Sequence, residues 1–205
     1  MLRSVNPHAA APMLVSVVFA MLLACAGCAH DEAPGSYAAA NKAQCLPAYL
    51  VLLDQAGKKV PLDSLRGMPV LVDFIYANCT STCPMMTQKM AAIAKLLGPA
   101  LGSKVRIVSF TLDPLHDGPP ELAKYADRMD ANDPGWIFLT GTQAQIEQVL
   151  AIYGLKLSHA PDGSITHMTA AYLLGPDGHQ LRQYSGLDVS AQTVVGDIDR
   201  ARSQS

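Results

Sequence analysis

The stretch that most constrains the chain is Val70-Leu71-Val72-Asp73-Phe74-Ile75-Tyr76-Ala77-Asn78-Cys79-Thr80-Ser81-Thr82-Cys83-Pro84. Val70 to Tyr76 is dense in β-branched and aromatic residues, the pattern of a buried strand. Pro84, with its fixed φ and missing N–H, suits the first helical position. The residue before a proline avoids the α region, so Cys83 is expected at the helix cap and Cys79 in the approach loop. Both sulfurs then stand at a helix N-terminus. Unpaired N–H groups and the helix dipole there favour an anion and lower a thiol pKa. A thiolate is both a nucleophile and a soft-metal ligand, so the position suits redox chemistry or metal binding. A pair of buried structural cysteines is the plain alternative.

A chain of 205 residues can bury one sizeable core and still carry extra segments. Half of it is apolar and 16% is charged, which excludes disorder by composition. The net charge of −2, with no basic patch, gives no reason to expect a nucleic-acid partner. Residues 1–28 read as a targeting segment. Arg3 supplies a positive start, and Met13 to Ala24 is almost continuously apolar but short for a spanning helix. Leu22-Leu23-Ala24-Cys25 resembles a lipoprotein signal, in which the cysteine is acylated after cleavage; Cys28, after Ala26-Gly27, is the second choice. No charge falls between Arg3 and Asp31, so an uncleaved membrane anchor is the alternative. Either way the remainder is expected in a bacterial periplasm, which permits disulfides. Residues 29–45 are small and polar, with Pro34, Gly35 and Ser36, and read as a flexible tether. Cys45, at its end, has no evident partner nearby.

The folded domain is expected over residues 46–202. Strands are predicted at Tyr49 to Leu53, Lys59-Val60, Val70 to Tyr76, Val105 to Leu112, Trp136 to Leu139, Ala170 to Leu174 and Gln180 to Tyr184. Helices are predicted at Pro84 to Leu97, Pro120 to Met129, from the Thr142 cap to Tyr153, and from Val189 to about Ala201. Gly175-Pro176-Asp177-Gly178 joins the last two strands as a hairpin. Strands alternating with helices imply a parallel core, and the hairpin adds an antiparallel end. A cysteine pair after a central strand is how the thioredoxin fold presents its chemistry. By that analogy the fold class is α/β, thioredoxin-like, with a central mixed sheet flanked by helices.

Three residues separate Cys79 from Cys83, one more than in the C-x-x-C redox pair. The spacing allows a disulfide, and it also lets two thiolates converge on one soft metal, Cu(I) or zinc. Two donors leave room for a third. His8 and His30 fall in the targeting segment and tether, His179 in a hairpin turn expected to be solvated, and His116 and His159 in loops. His167, just before the strand Ala170 to Leu174, is the best candidate from position, with a histidine hydrogen-bonded in a loop as the equal alternative. Asp113 ends a strand and is a candidate hydrogen-bond acceptor beside the site, or simply a turn residue before Pro114.

Phe74-x-Tyr76-x-x-Cys79-x-x-x-Cys83-Pro84, then Leu112-Asp113-Pro114 with Asp117, then Thr166-His167 with Tyr172-Leu173-Leu174-x-Pro176-Asp177-Gly178, resembles the Sco/SenC family across nearly the whole domain. The resemblance implies a thioredoxin-like copper protein with Cys79, Cys83 and His167 as copper ligands. It implies delivery of copper to the dinuclear copper (CuA) site of cytochrome c oxidase, or reduction of that site's cysteines. The implied partners are the oxidase's copper-site subunit, other periplasmic copper chaperones, and the membrane through the N-terminus. Thr80 replaces the proline that often follows the first cysteine, and Met168 replaces the serine that often follows the histidine. Met168, Met85 and Met86 read as packing residues, with a thioether ligand as the alternative. A copper metallochaperone is therefore the leading reading. A thiol–disulfide oxidoreductase using Cys79 and Cys83 is the alternative. It is weakened because Thr166-His167-Met168-Thr169 stands where such enzymes place a cis-proline. A thiol peroxidase comes third, because no arginine lies near either cysteine in sequence.

Overall fold

The structure is a computed structural model that describes residues 45–203. The expected targeting segment, with Cys25 and Cys28, and the tether up to residue 44 lie outside the described residues. In chain order the elements are β1 (Val51–Asp54), β2 (Lys59–Pro61), a 3-10 turn (Leu62–Leu65), β3 (Val70–Ile75), α1 (Thr82–Leu97), a second 3-10 turn (Gly98–Ala100), β4 (Arg106–Thr111), α2 (Pro119–Arg128), β5 (Trp136–Thr140), α3 (Gln143–Ile152), β6 (Ser158–His159), β7 (Ile165–Thr166), β8 (Ala170–Leu174), β9 (Gln180–Ser185) and α4 (Ala191–Ser203).

Seven strands form one mixed sheet in the order β2-β1-β5-β4-β3-β8-β9. β3, β4 and β5 run parallel, while β8 lies antiparallel to β3 and β9 antiparallel to β8. A parallel core is covered on both faces, and that is why β3 is buried at every residue. Alternation along β3 sends Leu71 and Asp73 toward α1, where Leu71 joins Met86, Met90 and Ile93 with Val189 and Val194 from the α4 side. Phe74 points the other way, into a cluster with Tyr172 of β8 and Tyr153 at the end of α3, at 5.3 Å between the Phe74 and Tyr153 ring centroids. Each such side chain, fully removed from water, contributes about 1.5–3 kcal/mol, so the strand that ends at the cysteine loop is among the most firmly held parts of the fold.

Two differences from the sequence reading bear on the site. α1 begins at Thr82, with Ser81 as its cap, so Cys83 is inside the first turn and not at the cap. Pro84 falls at the third helical position, where its missing N–H still costs nothing because the first four N–H groups of a helix have no partner within it. The stretch around His159, read as a loop, folds into the small hairpin β6–β7, with Ser158 opposite Thr166 and His159 opposite Ile165. Elsewhere α3 starts at a capping box between Thr142 and Gln145 and is followed by Gly154 at φ +64°, a left-handed residue that ends the helix.

Candidate metal centre

The loop from Tyr76 to Cys79 leaves the C-terminal end of β3, and elements distant in sequence hold it at both backbone ends. The Ala77 N–H donates to Asp117 Oδ2 at 2.9 Å, and the same oxygen accepts from the Thr111 hydroxyl at 2.6 Å. The Ala77 carbonyl accepts from Arg128 Nη2 at 2.8 Å. Cys79 N–H closes a turn on the Tyr76 carbonyl at 3.1 Å. The Tyr76 hydroxyl, in turn, accepts from Ile165 N–H of β7 at 3.3 Å, which ties the loop to the segment leading into His167. A buried backbone donor or acceptor left unpaired costs about 1–3 kcal/mol, so these contacts fix the loop path.

Cys79 and Cys83 are 7% and 2% exposed, both as free thiols. Cys79 Sγ accepts from the Cys83 N–H at 3.4 Å and lies 3.8 Å from the Ser81 hydroxyl. Burial disfavours its thiolate. Hydrogen bonds from the Cys83 thiol, the Ser81 and Cys83 N–H groups and the Tyr76 hydroxyl outweigh that cost and bring Cys79 down to about 7. Cys83 is pushed far up, first by burial, then by its place as hydrogen-bond donor to Cys79 and by the Asp73 carboxyl beneath α1. The pair therefore gains its one negative charge as pH rises through about 7, and that charge sits on Cys79. Rapid alkylation with peptide mapping tests this. Cys79 modification is expected to rise with a midpoint near pH 7 and Cys83 to stay unreactive until far more alkaline pH. Equal reactivity of the two sulfurs would contradict it.

His167 is part-buried on the strand approach to β8. Its Nδ1 lies 3.0 Å from the Met168 carbonyl. A carbonyl only accepts, so Nδ1 carries the proton and Nε2 keeps a free lone pair, the form a metal ligand needs. Desolvation lowers its pKa, keeping the ring neutral to more acidic pH than in water. The structure brings the two cysteines together. Among the described residues no three His, Cys, Asp or Glu side chains form a metal-holding group, so His167 does not complete a three-donor set with them here. The donor chemistry suits a soft ion: two adjacent sulfurs, one already ionised near neutral pH, with a neutral imidazole on the neighbouring segment.

Other candidates are placed differently from expectation. Asp113 binds the exposed His116 ring at 2.8 Å, raising the His116 pKa, and the role of loop acceptor belongs instead to Asp117. Arg128 reaches the cysteine loop although no arginine lies near it in sequence, and it also stacks over Tyr125 with 5.2 Å to the ring centroid. Its only sequence signal was a basic residue in the last turn of α2, which reads as a helix-dipole partner. Cys45 is not alone: it forms an isolated bridge with His179, and Arg66 Nη2 lies 3.4 Å from its sulfur, at the opposite end of β3 from the other cysteines. His179, expected to be solvated, is part-buried, with its Nδ1 enclosed and without a hydrogen-bond partner.

A thiol pair of unequal acidity, one sulfur in the loop after a buried strand of this mixed sheet and the other in the first turn of the helix that follows, defines a thioredoxin-like thiol protein. The chain belongs to the SCO1/SenC family, whose sequence model matches residues 38–203. It is 37% identical over 152 residues to the SCO1 protein homolog of Bacillus subtilis, covering 72% of this chain and 78% of that one. A solved structure described as BsSco, a member of the Sco family of cytochrome c oxidase assembly proteins with a disulfide switch, aligns with a TM-score of 0.68 at 34% identity, covering 81% of this chain and 98% of that one. Bradyrhizobium japonicum ScoI with copper bound aligns with a TM-score of 0.65 at 26% identity, covering 80% and 99%.

Proposed function

We propose that this chain carries copper on Cys79, Cys83 and His167 and delivers it to the copper-site subunit of cytochrome c oxidase during assembly. The observation that carries the reading is the Cys79–Cys83 pair itself: two hydrogen-bonded soft donors, one ionised near neutral pH, in a chain of this family. Copper displaces the remaining proton from Cys83, and the Nε2 lone pair of His167 closes on the metal from the β8 approach. The copper-bound relative supports the choice of metal, and the relative described as an oxidase assembly protein supports the client. The site works in the bacterial periplasm, with the domain tethered to the membrane at Cys25, or failing that at Cys28. No helix among the described residues is long and apolar enough to cross a membrane, and the attachment proposed here uses residues 1–28.

A second reading is favoured by the acidity difference between the sulfurs. The Cys79 thiolate attacks a client disulfide, a mixed disulfide forms, and Cys83 resolves it; two electrons pass to the client and Cys79–Cys83 leaves as the disulfide. One experiment separates the two. The Cu(I)-loaded domain is mixed with the metal-free copper-site subunit in reduced form, and copper is counted in each protein after separation. Transfer of copper to the subunit is the expected result. Copper that stays on the donor, together with reduction of an oxidised subunit by the metal-free domain, would put the reductase in its place.

A further inference from the structure

Both site cysteines are nearly closed to solvent, so a copper ion arriving on another carrier first meets whatever donors stand at the surface around them. Six methionines fall among the described residues, and four of them, Met68, Met86, Met90 and Met129, are buried or part-buried as an apolar side chain should be. The two exposed ones are Met85, at 55%, and Met168, at 48%. Met85 lies two residues beyond Cys83 in the first turn of α1, on the face opposite the buried Cys83, Met86 and Met90. Met168 directly follows His167, and its carbonyl holds the imidazole. Among the described residues, solvent-facing thioethers thus occur only next in sequence to the proposed ligands or two residues from them. A thioether is a soft, uncharged donor that selects Cu(I) and has no proton to lose.

We propose that Met85 and Met168 are surface copper ligands through which Cu(I) enters and leaves the Cys79–Cys83–His167 site. This rests on the copper-carrier reading above. In the entry step a Met Sδ–Cu bond forms as a bond to the incoming carrier breaks. The Cys79 thiolate then replaces the thioether on the metal, and the Cys83 proton passes to solvent as that sulfur binds. The copper stays Cu(I) throughout, and no electron moves. The thioethers lower the barrier in both directions without adding to the final affinity.

Leucine keeps the size and apolar character of methionine and removes only the sulfur. The test therefore compares the wild type with Met85→Leu, Met168→Leu and the double variant. Stopped-flow uptake of Cu(I) from its bicinchoninate complex gives the forward rate, release to excess chelator gives the reverse, and a chelator titration gives the affinity. In the double variant both rates are expected to fall by about tenfold, the loss of one weak bond in the exchange transition state, while affinity changes by less than about twofold. Unchanged rates would overturn the proposal, and so would a loss of affinity at constant uptake rate, which would make the thioethers resident ligands. A wild type that takes up no Cu(I) would overturn the copper-carrier reading along with it. Wild-type uptake with identical variant rates would sink the entry role alone. Circular dichroism and the unaltered Cys79–Cys83 oxidation rate report that the variants keep their fold.

Discussion

His167→Ala is expected to abolish stable Cu(II) binding and to weaken Cu(I) binding, while the Cys79–Cys83 disulfide still forms. Cu(I) tolerates two thiolates, so the variant keeps some reduced copper. Cu(II) needs nitrogen and more donors, and without the imidazole two Cu(II) ions are reduced as the two thiolates join in a disulfide. Loss of a residue that only supports a ligand costs about 10–100-fold in metal affinity, so removal of a ligand should cost Cu(II) more than about a hundredfold. Folding stability is expected to change by no more than about 1 kcal/mol, because His167 is part-buried in a strand approach and leaves no core cavity. The pH dependence carries a second signature. Copper competes with protons for each donor. Because binding also displaces the Cys83 proton, wild-type affinity is expected to fall with pH throughout, and more steeply below about 7, where Cys79 takes up its proton as well. A further fall at lower pH belongs to His167, whose desolvation moves its protonation below the ordinary histidine range. That second fall should be missing from His167→Ala. Chelator competition on both proteins from acidic to neutral pH measures this, and equal Cu(II) retention in the two would remove His167 from the ligand set.

What the sequence revealed depended on how local each signal was. β3, the cysteine loop and the helix after it were legible because β-branched density, two cysteines and a proline fall in consecutive residues. The β8–β9 hairpin was legible because Gly175-Pro176-Asp177-Gly178 is a turn in any context, and Ala170–Leu174 falls where it was predicted. The grip on the cysteine loop was not legible. It comes from Asp117 and Arg128, 40 and 51 residues beyond Ala77, and it acts on backbone atoms that every residue carries. Asp113 drew attention by ending a strand, yet Asp117 takes the role, because the turn from Asp113 to Asp117 folds the later carboxylate inward and leaves the earlier one to His116. Cys45 was missed for a related reason: its contacts with Arg66 and His179 exist only once the β8–β9 turn has closed over the start of β3. The first turn of α1 was misplaced because a pre-proline preference of the backbone is weak against the packing of Cys83 and Met86 under the helix.

Asp73→Asn is expected to stabilise the metal-free domain at neutral and alkaline pH and to leave it unchanged near pH 4. Asp73 is fully buried on the α1 side of β3. Its Oδ1 accepts from the Ser109 hydroxyl at 2.5 Å, Ser109 accepts from Trp136 Nε1 at 2.9 Å, and Oδ2 has no partner. Burial outweighs the Ser109 hydrogen bond and pushes the carboxyl up to about 7 from an ordinary 3.8. Between those values the folded chain holds a proton that the unfolded chain has released. Stability therefore falls as pH rises through that window, and the loss is complete above about pH 7. A shift of roughly three pKa units corresponds to an upper limit of about 4 kcal/mol. Asparagine cannot ionise, so the variant avoids that loss. Its amide N–H is left unpartnered much as the protonated carboxyl's O–H is, so the two proteins match at low pH. The thiolate of Cys79 contributes equally to both and cancels. Urea unfolding of the reduced proteins at about pH 4, 6 and 8 reads the difference, and a constant increment, or a destabilisation at pH 8, would refute the assignment. The same substitution should lower the Cys83 pKa, because the Asp73 charge is one of the influences raising it. Faster Cys83 alkylation at alkaline pH reads this without reference to stability. A carboxyl that weakens the fold while holding a proton on the second sulfur is the kind of strain a working site retains.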